Sequence, residues 1–371
     1  MENRIFQNRL EKLRKLMEEF KFPLIAINAG KDLKYISGLD FHLSERPIIL
    51  MISVTETPCL VYPSFETQKV RKSPFDLQLF PYEEDPSIWG NVVSQSVGAL
   101  KTSPIKLGVS PTSIRFLELD LIQTALGHKK VLSAENIFRQ LYIFKDAEAE
   151  QSIHKAVSIA ESAIKQTLPK IRTGVSERQI ANELFINLLR EGSESNLPFD
   201  PIVASGPNSA NPHAVPGNRS LEKGDIVLID WGARYNGYIS DMTRSFIIGQ
   251  KSEEFQKIAK IVEQANTTAR DAIKPGISAN NIDSSARDFI NEKGYGTFFT
   301  HRTGHGIGLE EHENPFISQT SKEILLPGMT FTIEPGIYIP EKGGIRIEDN
   351  VIVTKEGCKT FTSLPRELQV L

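Results

Sequence analysis

Asp230 and Asp241 stand on either side of Asn236-Gly237 in the run IVLIDWGARYNGYISDMTR, residues 226–244. The flanks IVLID and YISDMT have strand composition, and Asn-Gly between two such runs is the strongest short signal for a two-residue hairpin turn. Folding about that turn puts Asp241 opposite Gly232, one diagonal step from Asp230 on the same face. Like charges held that close require a cation, a shared proton or a basic group to compensate them.

Four of the seven histidines, His213, His301, His305 and His312, fall in the stretch around and after this hairpin. His305 lies in TGHGIG, where Gly304, Gly306 and Gly308 remove side chains so that backbone or ligand can come close. The pattern is not GxGxxG and no acidic residue follows a second strand, so a dinucleotide loop is excluded. Downstream, TIEPGIY carries Glu334 and GIRIEDN carries Glu348, with Pro340 to Gly344 as the turn of a second hairpin. Each carboxylate sits in a β-branched strand, where burying it unpaired is costly. Two Asp, one His and two Glu form a hard, oxygen-rich donor set with one imidazole. That set suits a pair of divalent ions such as Mn²⁺, Co²⁺, Fe²⁺ or Zn²⁺, bridged by carboxylates.

The elements that must position these residues are legible from periodicity. Ile153, Val157, Ala160, Ile164 and Leu168 mark a helix from about Asp146 to Pro169, and Ser176 with Gln179 forms a capping-box pattern for the next, which Gly192 ends. Two more helices are expected at Glu253 to Ile273 and Ala279 to Lys293, and strands at Ile202 to Ala204, Ile226 to Asp230, Ile239 to Ile248, Thr330 to Ile339 and Ile345 to Thr354. This half reads as α+β, helices on an antiparallel sheet. Ahead of it, Phe6, Leu10, Leu13, Met17 and Phe20 mark an amphipathic helix. Apolar runs at Pro23 to Asn28, Pro47 to Val54, Cys59 to Tyr62, Leu77 to Phe80 and Leu107 to Val109 then alternate with helical segments at Lys31 to Ser37, Ser87 to Leu100 and Thr112 to Leu126. That is α/β layering without a catalytic constellation; His42 and His128 are isolated. The expected domains are residues 1–135 and 146–371.

A chain of 371 residues is long for one core. Its net charge of −3 and dispersed basic residues exclude nucleic acid as an expected partner. The two cysteines follow no metal or redox spacing, and the charged N-terminus lacks the apolar core of a signal peptide. The longest apolar run is too short for a bilayer. A cytoplasmic protein without a membrane partner is the expectation.

The segments DWGARYNGYISDMTR, HRTGHGIGLEEHENP, FTIEPGIY and GGIRIEDNV, in this order, resemble the successive signatures of the M24 metallopeptidases, the pita-bread family of methionine aminopeptidase, aminopeptidase P and prolidase. PHAVPGNRSLEKGDIVLIDWG is similar to the prolidase and aminopeptidase P branch, and YISGLDFHLSERP to its creatinase-type N-terminal domain. The resemblance implies a dinuclear centre with Asp230 on one ion, His305 and Glu334 on the other, and Asp241 and Glu348 bridging. Water activated there would attack the scissile carbonyl, with Glu334 shuttling its proton. His213 and His312 would contact the substrate carbonyl, Arg346 would order the ligand shell, and His301 would border the leaving-residue pocket. The implied activity is hydrolysis of Xaa-Pro bonds in proline-containing peptides by a homodimer, as a dipeptidase or as an aminopeptidase P on longer peptides. A creatinase-like amidinohydrolase and a non-enzymatic binding module on the same fold are rival expectations.

Overall fold

The computed structural model describes residues 2–100, 106–250 and 252–371. The chain divides into two compact units, Met1–Tyr142 and Ile143–Leu371.

The first unit runs α1 (Glu2–Glu19), β1 (Leu24–Asn28), α2 (Lys31–Ser37), β2 (Ile49–Ser53), β3 (Cys59–Pro63), α3 (Thr67–Val70), β4 (Gln78–Tyr82), α4 (Trp89–Ala99), β5 (Lys106–Val109), α5 (Phe116–Ala125), β6 (Lys130–Ser133) and α6 (Glu135–Tyr142). Its strands form one mixed sheet in the order β4-β3-β2-β1-β5-β6. β1, β2 and β3 are buried along their whole length, as unbroken apolar runs require of strands covered on both faces. The short α3, the half-exposed β6 and α6 had no counterpart among the expected elements. α6 buries Ile137, Phe138 and Leu141 and belongs to this unit. His42 and His128 are exposed.

In the second unit, Asp146 caps α7 (Ala147–Thr167) by accepting from Ala149 N, and Ser176 and Gln179 complete the capping box of α8 (Glu177–Arg190). The strands are β7 (Ile202–Ser205), β8 (Ile226–Trp231), β9 (Arg234–Tyr235), β10 (Tyr238–Ile239) and β11 (Met242–Ile247). After α9 (Glu253–Ala272) and α10 (Ala279–Glu292) come β12 (Gly304–Gly306), β13 (Glu313–Ile317), β14 (Thr330–Ile333), β15 (Gly336–Ile339), β16 (Gly343–Arg346), β17 (Asp349–Val353), β18 (Cys358–Thr360) and β19 (Gln369–Val370). The two larger sheets are ordered β19-β11-β8-β7 and β13-β12-β14-β17-β18, and β9-β10 and β15-β16 pair as two-stranded hairpins. All pairings are antiparallel except β11 with the C-terminal β19. Ile258, Val262 and Ala265 of α9 and Ile282, Ala286 and Ile290 of α10 share one core with Phe331, Ile333 and Val351 of the second sheet.

The long strands expected around the acids are interrupted at the acids themselves. Tyr235 pairs with Tyr238 and Trp231 with Met242, a single register about Asn236 (φ 51°) and Gly237 (φ 81°), both in the left-handed region this turn demands. Ser240 and Asp241 leave the ladder; Asp241 N donates to Asn350 Oδ1 (3.1 Å). In the second hairpin, Ile333 pairs with Asp349 and Gly336 with Arg346, so the shared register sets Glu334 opposite Glu348 across the gap. Pro335 has no N–H to give the ladder. Glu334 N donates instead to Thr303 O (2.8 Å), and Glu348 N to Thr243 O (3.1 Å), which ties the second hairpin to the first.

The glycines of TGHGIG serve close approach of protein to protein. A Cβ at Gly304 would strike Thr332 O, and one at Gly306 would strike Asn314 O.

Candidate active site

All nine residues singled out by sequence line one cleft of about 500 Å³: Asp230, Asp241, His305, Glu334, Glu348, His213, His301, His312 and Arg346. β8 supplies Asp230, the breaks before β11 and after β14 supply Asp241 and Glu334, β12 supplies His305, and the break before β17 supplies Glu348. Donor atoms of Asp241, His305 and Glu348 lie within 4.8 Å of one another and are buried. His305 Nε2 stands 3.3 Å from Glu334 Oε1 and 3.6 Å from Asp241 Oδ2. With His305 Nδ1 donating to Gly306 O (3.2 Å), Nε2 keeps a lone pair aimed at the acids. Asp230 Oδ2 accepts from Arg346 Nη2 (2.5 Å), while its buried Oδ1 has no hydrogen-bond partner among the described residues.

Burial, and then the neighbouring carboxylates, push the carboxyls of Asp241 and Glu348 well above the usual range. Burial raises Asp230 too, against the pull of Arg346, and lifts Glu334 to about 7. Burial holds His305 well below its ordinary value, with His312 and Arg302 adding to it, so this imidazole is neutral. Carboxylates that drive up each other's proton affinity, a neutral imidazole and an orphaned buried oxygen fit divalent cations: a cation removes the repulsion that protons otherwise relieve.

Around the acids, Arg346 is fully committed. Nε donates to Thr243 Oγ1 (2.9 Å), and Nη1 to Tyr338 OH (3.0 Å) and Pro212 O (3.3 Å). Thr243 Oγ1 in turn donates to Glu348 Oε2 (2.7 Å). His301 Nε2 meets Tyr338 OH at 2.8 Å, and burial takes this histidine down to about 3. The His312 ring stacks edge-on to His305 with centroids 4.4 Å apart, and His213 lies exposed on the segment after β7.

Thr243, Tyr338 and Arg302 escaped the sequence reading. Thr243 carried a usable signal, two residues beyond Asp241 on a strand of period two; Tyr338 and Arg302 acquire their places only through tertiary contacts.

Residues 151–355 match the model of metallopeptidase family M24, and residues 9–141 that of the creatinase/prolidase N-terminal domain. The chain is 36% identical to the Xaa-Pro dipeptidase of Pyrococcus furiosus over 98% of its length and 99% of that protein's. It superposes on a dipeptidase structure from Pyrococcus horikoshii OT3 with TM-score 0.90, at 36% identity, covering 98% of this chain and 100% of that one. The X-Pro aminopeptidase of Thermotoga maritima MSB8 also superposes, with TM-score 0.86, 33% identity and coverage of 96% and 100%. With two successive catalytic-type hairpins presenting acids to one cleft, a creatinase-type first unit and these relatives, the chain belongs to metallopeptidase family M24.

Proposed function

We propose that this protein hydrolyses Xaa-Pro peptide bonds as a dipeptidase, using two divalent ions held by Asp230, Asp241, His305, Glu334 and Glu348. The observation that carries the reading is the convergence of those five side chains, four of them buried, on one cleft, in a chain 36% identical to an Xaa-Pro dipeptidase along nearly its whole length. Bound there, divalent ions supply Lewis acidity that activates water and polarises the scissile carbonyl. Glu334, poised near neutrality, takes the proton of the attacking water and hands it to the departing proline nitrogen. That nitrogen belongs to a tertiary amide with no N–H, so the leaving side needs a proton source rather than a hydrogen-bond acceptor. His213 and His312 face the substrate carbonyl and steady its developing charge. Arg346 holds Asp230 and, through Thr243, Glu348 in place. His301 borders the leaving-residue pocket.

Mn²⁺ is the proposed metal, a homodimer the proposed assembly and the cytoplasm the proposed location. No helix among the described residues is long and apolar enough to cross a membrane. Structural likeness to an X-Pro aminopeptidase supports a second reading, action on longer peptides. Both are tested on chelator-treated protein with and without added Mn²⁺ or Co²⁺, comparing Xaa-Pro with Xaa-Pro-Xaa-Xaa. Metal-restored cleavage favouring the dipeptide is expected; equal turnover would end the dipeptidase reading. No cleavage of either with any divalent ion would end the peptidase reading, amidinohydrolase or binding roles being what is left.

A further inference from the structure

The cleft has two arginines, and only one is spoken for. Arg346 spends its guanidinium on Asp230, Thr243, Tyr338 and Pro212. The guanidinium of Arg302 lines the same cleft, half-buried, and forms no ion pair or hydrogen bond with any described residue. Its backbone is nevertheless tightly held. Asp283 of α10 accepts from Thr303 N (3.1 Å) and Thr303 Oγ1 (2.8 Å), and Arg287 donates to His301 O (2.7 Å) and Phe299 O (3.0 Å). The side chain then lies over the Phe316 ring, 4.6 Å from its centroid. A guanidinium stacked on an aromatic face keeps its N–H edge free in the ring-parallel plane, a fork that matches a carboxylate. It shares that cleft lining with Glu334, His305 and His312, and its neighbour His301 reaches Glu334 with Nδ1 3.9 Å from Oε2.

We infer that Arg302 receives the free C-terminal carboxylate of the substrate and thereby makes the cleft select dipeptides. The inference rests on the Xaa-Pro reading above and names the residue that sets its length preference. In an Xaa-Pro dipeptide the carboxyl carbon is two bonds, roughly 2.5 Å, from the scissile nitrogen. A charge-bearing anchor must therefore stand in the same cleft lining as Glu334, as Arg302 does. In a longer peptide the same position holds a neutral amide carbonyl, which accepts one ordinary hydrogen bond and brings no charge. Extension thus forfeits the charge-assisted pair and leaves a partly desolvated cation unpaired.

The test uses the full-length, metal-loaded protein and two substrates that differ only in that charge, Ala-Pro and its C-terminal amide. The wild type is expected to favour the acid by about 10- to 100-fold in kcat/KM. In Arg302→Gln that preference collapses because KM rises much further for the acid, which loses a charge-assisted pair, than for the amide, which loses one ordinary hydrogen bond. Arg302→Lys, which keeps the charge without the fork, restores part of it. Inhibition by proline but not by prolinamide should vanish in Arg302→Gln, while metal content and Tm stay at wild-type values. Equal wild-type use of acid and amide, or an unchanged ratio in Arg302→Gln, overturns the role of Arg302 and leaves Xaa-Pro hydrolysis standing. Failure of the wild type to cleave either substrate overturns the Xaa-Pro reading, and this inference with it.

Discussion

Glu177 lies outside the cleft lining, yet its removal should disable the site in a specific way. Its fully buried carboxylate accepts from Ser205 N (2.7 Å), Ser205 Oγ (2.8 Å), Asn208 Nδ2 (3.0 Å) and Gly217 N (3.0 Å). Those donors stand at the start and end of the segment that carries Pro212 and His213 over the acids. Glu177→Ala leaves the buried Ser205 N–H without an acceptor, while Asn208 and Gly217 can turn to water. At ~1–3 kcal/mol for each buried donor left unpaired, plus the cavity, the loss comes to about 3 kcal/mol. For a unit of this size that is a Tm drop of about 6–12 °C. Loosening the segment also withdraws Pro212 O from Arg346 and lets His213 wander. A displacement near 1 Å at a positioning group costs about 100-fold, so kcat/KM should fall by about 10- to 100-fold. The four acids and the imidazole lie outside that segment, on or beside other strands, so metal stoichiometry should hold at the wild-type value. Differential scanning calorimetry, metal analysis and Xaa-Pro kinetics on one preparation read all three quantities. A kcat/KM within about twofold of wild type despite the lower Tm would refute the reasoning that Glu177 acts through the His213 segment. Loss of metal would refute it from the other side.

Asp241→Ala should abolish turnover and dinuclear metal uptake while the fold persists, because in the metal-free protein it removes one of several mutually repelling buried acids; activity surviving metal stripping and readdition would contradict this. Metal binding should release protons near neutral pH. Burial raises Glu334 to about 7, so it is protonated below that pH, and burial with the neighbouring carboxylates raises Asp241 and Glu348 well above the usual carboxylate range, so cations must displace protons. Apparent Mn²⁺ affinity should accordingly climb from pH 6 to pH 8, and calorimetric titrations in buffers of different ionisation enthalpy should agree on net proton release; a pH-independent affinity would count against it. Gly304→Ala should cost ~1–3 kcal/mol and weaken metal retention, since its Cβ meets the Thr332 carbonyl and must push β12, with His305, away from β14; an unchanged Tm and metal content would show the contact yields freely.

The acid pairs were legible in the sequence because hairpin register is a local property. Asn236-Gly237 dictates which residues of its two arms face each other, and the turn after Ile339 does the same for Glu334 and Glu348. Helix positions followed from 3.6-residue apolar spacing and caps such as Ser176 with Gln179, which likewise need only neighbours in the chain. Short or polar elements such as α3 and β6 left no such pattern. Tertiary structure decided the rest. The breaks in the ladder at Asp241, Glu334 and Glu348 arise because their N–H groups bond to Asn350, Thr303 and Thr243, distant in the chain. The commitment of Arg346 to Asp230 and Tyr338, the freedom of Arg302 and the hold of Glu177 on the His213 segment are all partner choices. Periodicity encodes which face a residue turns and whether it is buried; it carries no record of which far-off group completes its hydrogen bonds, and that is settled only when the chain closes on itself.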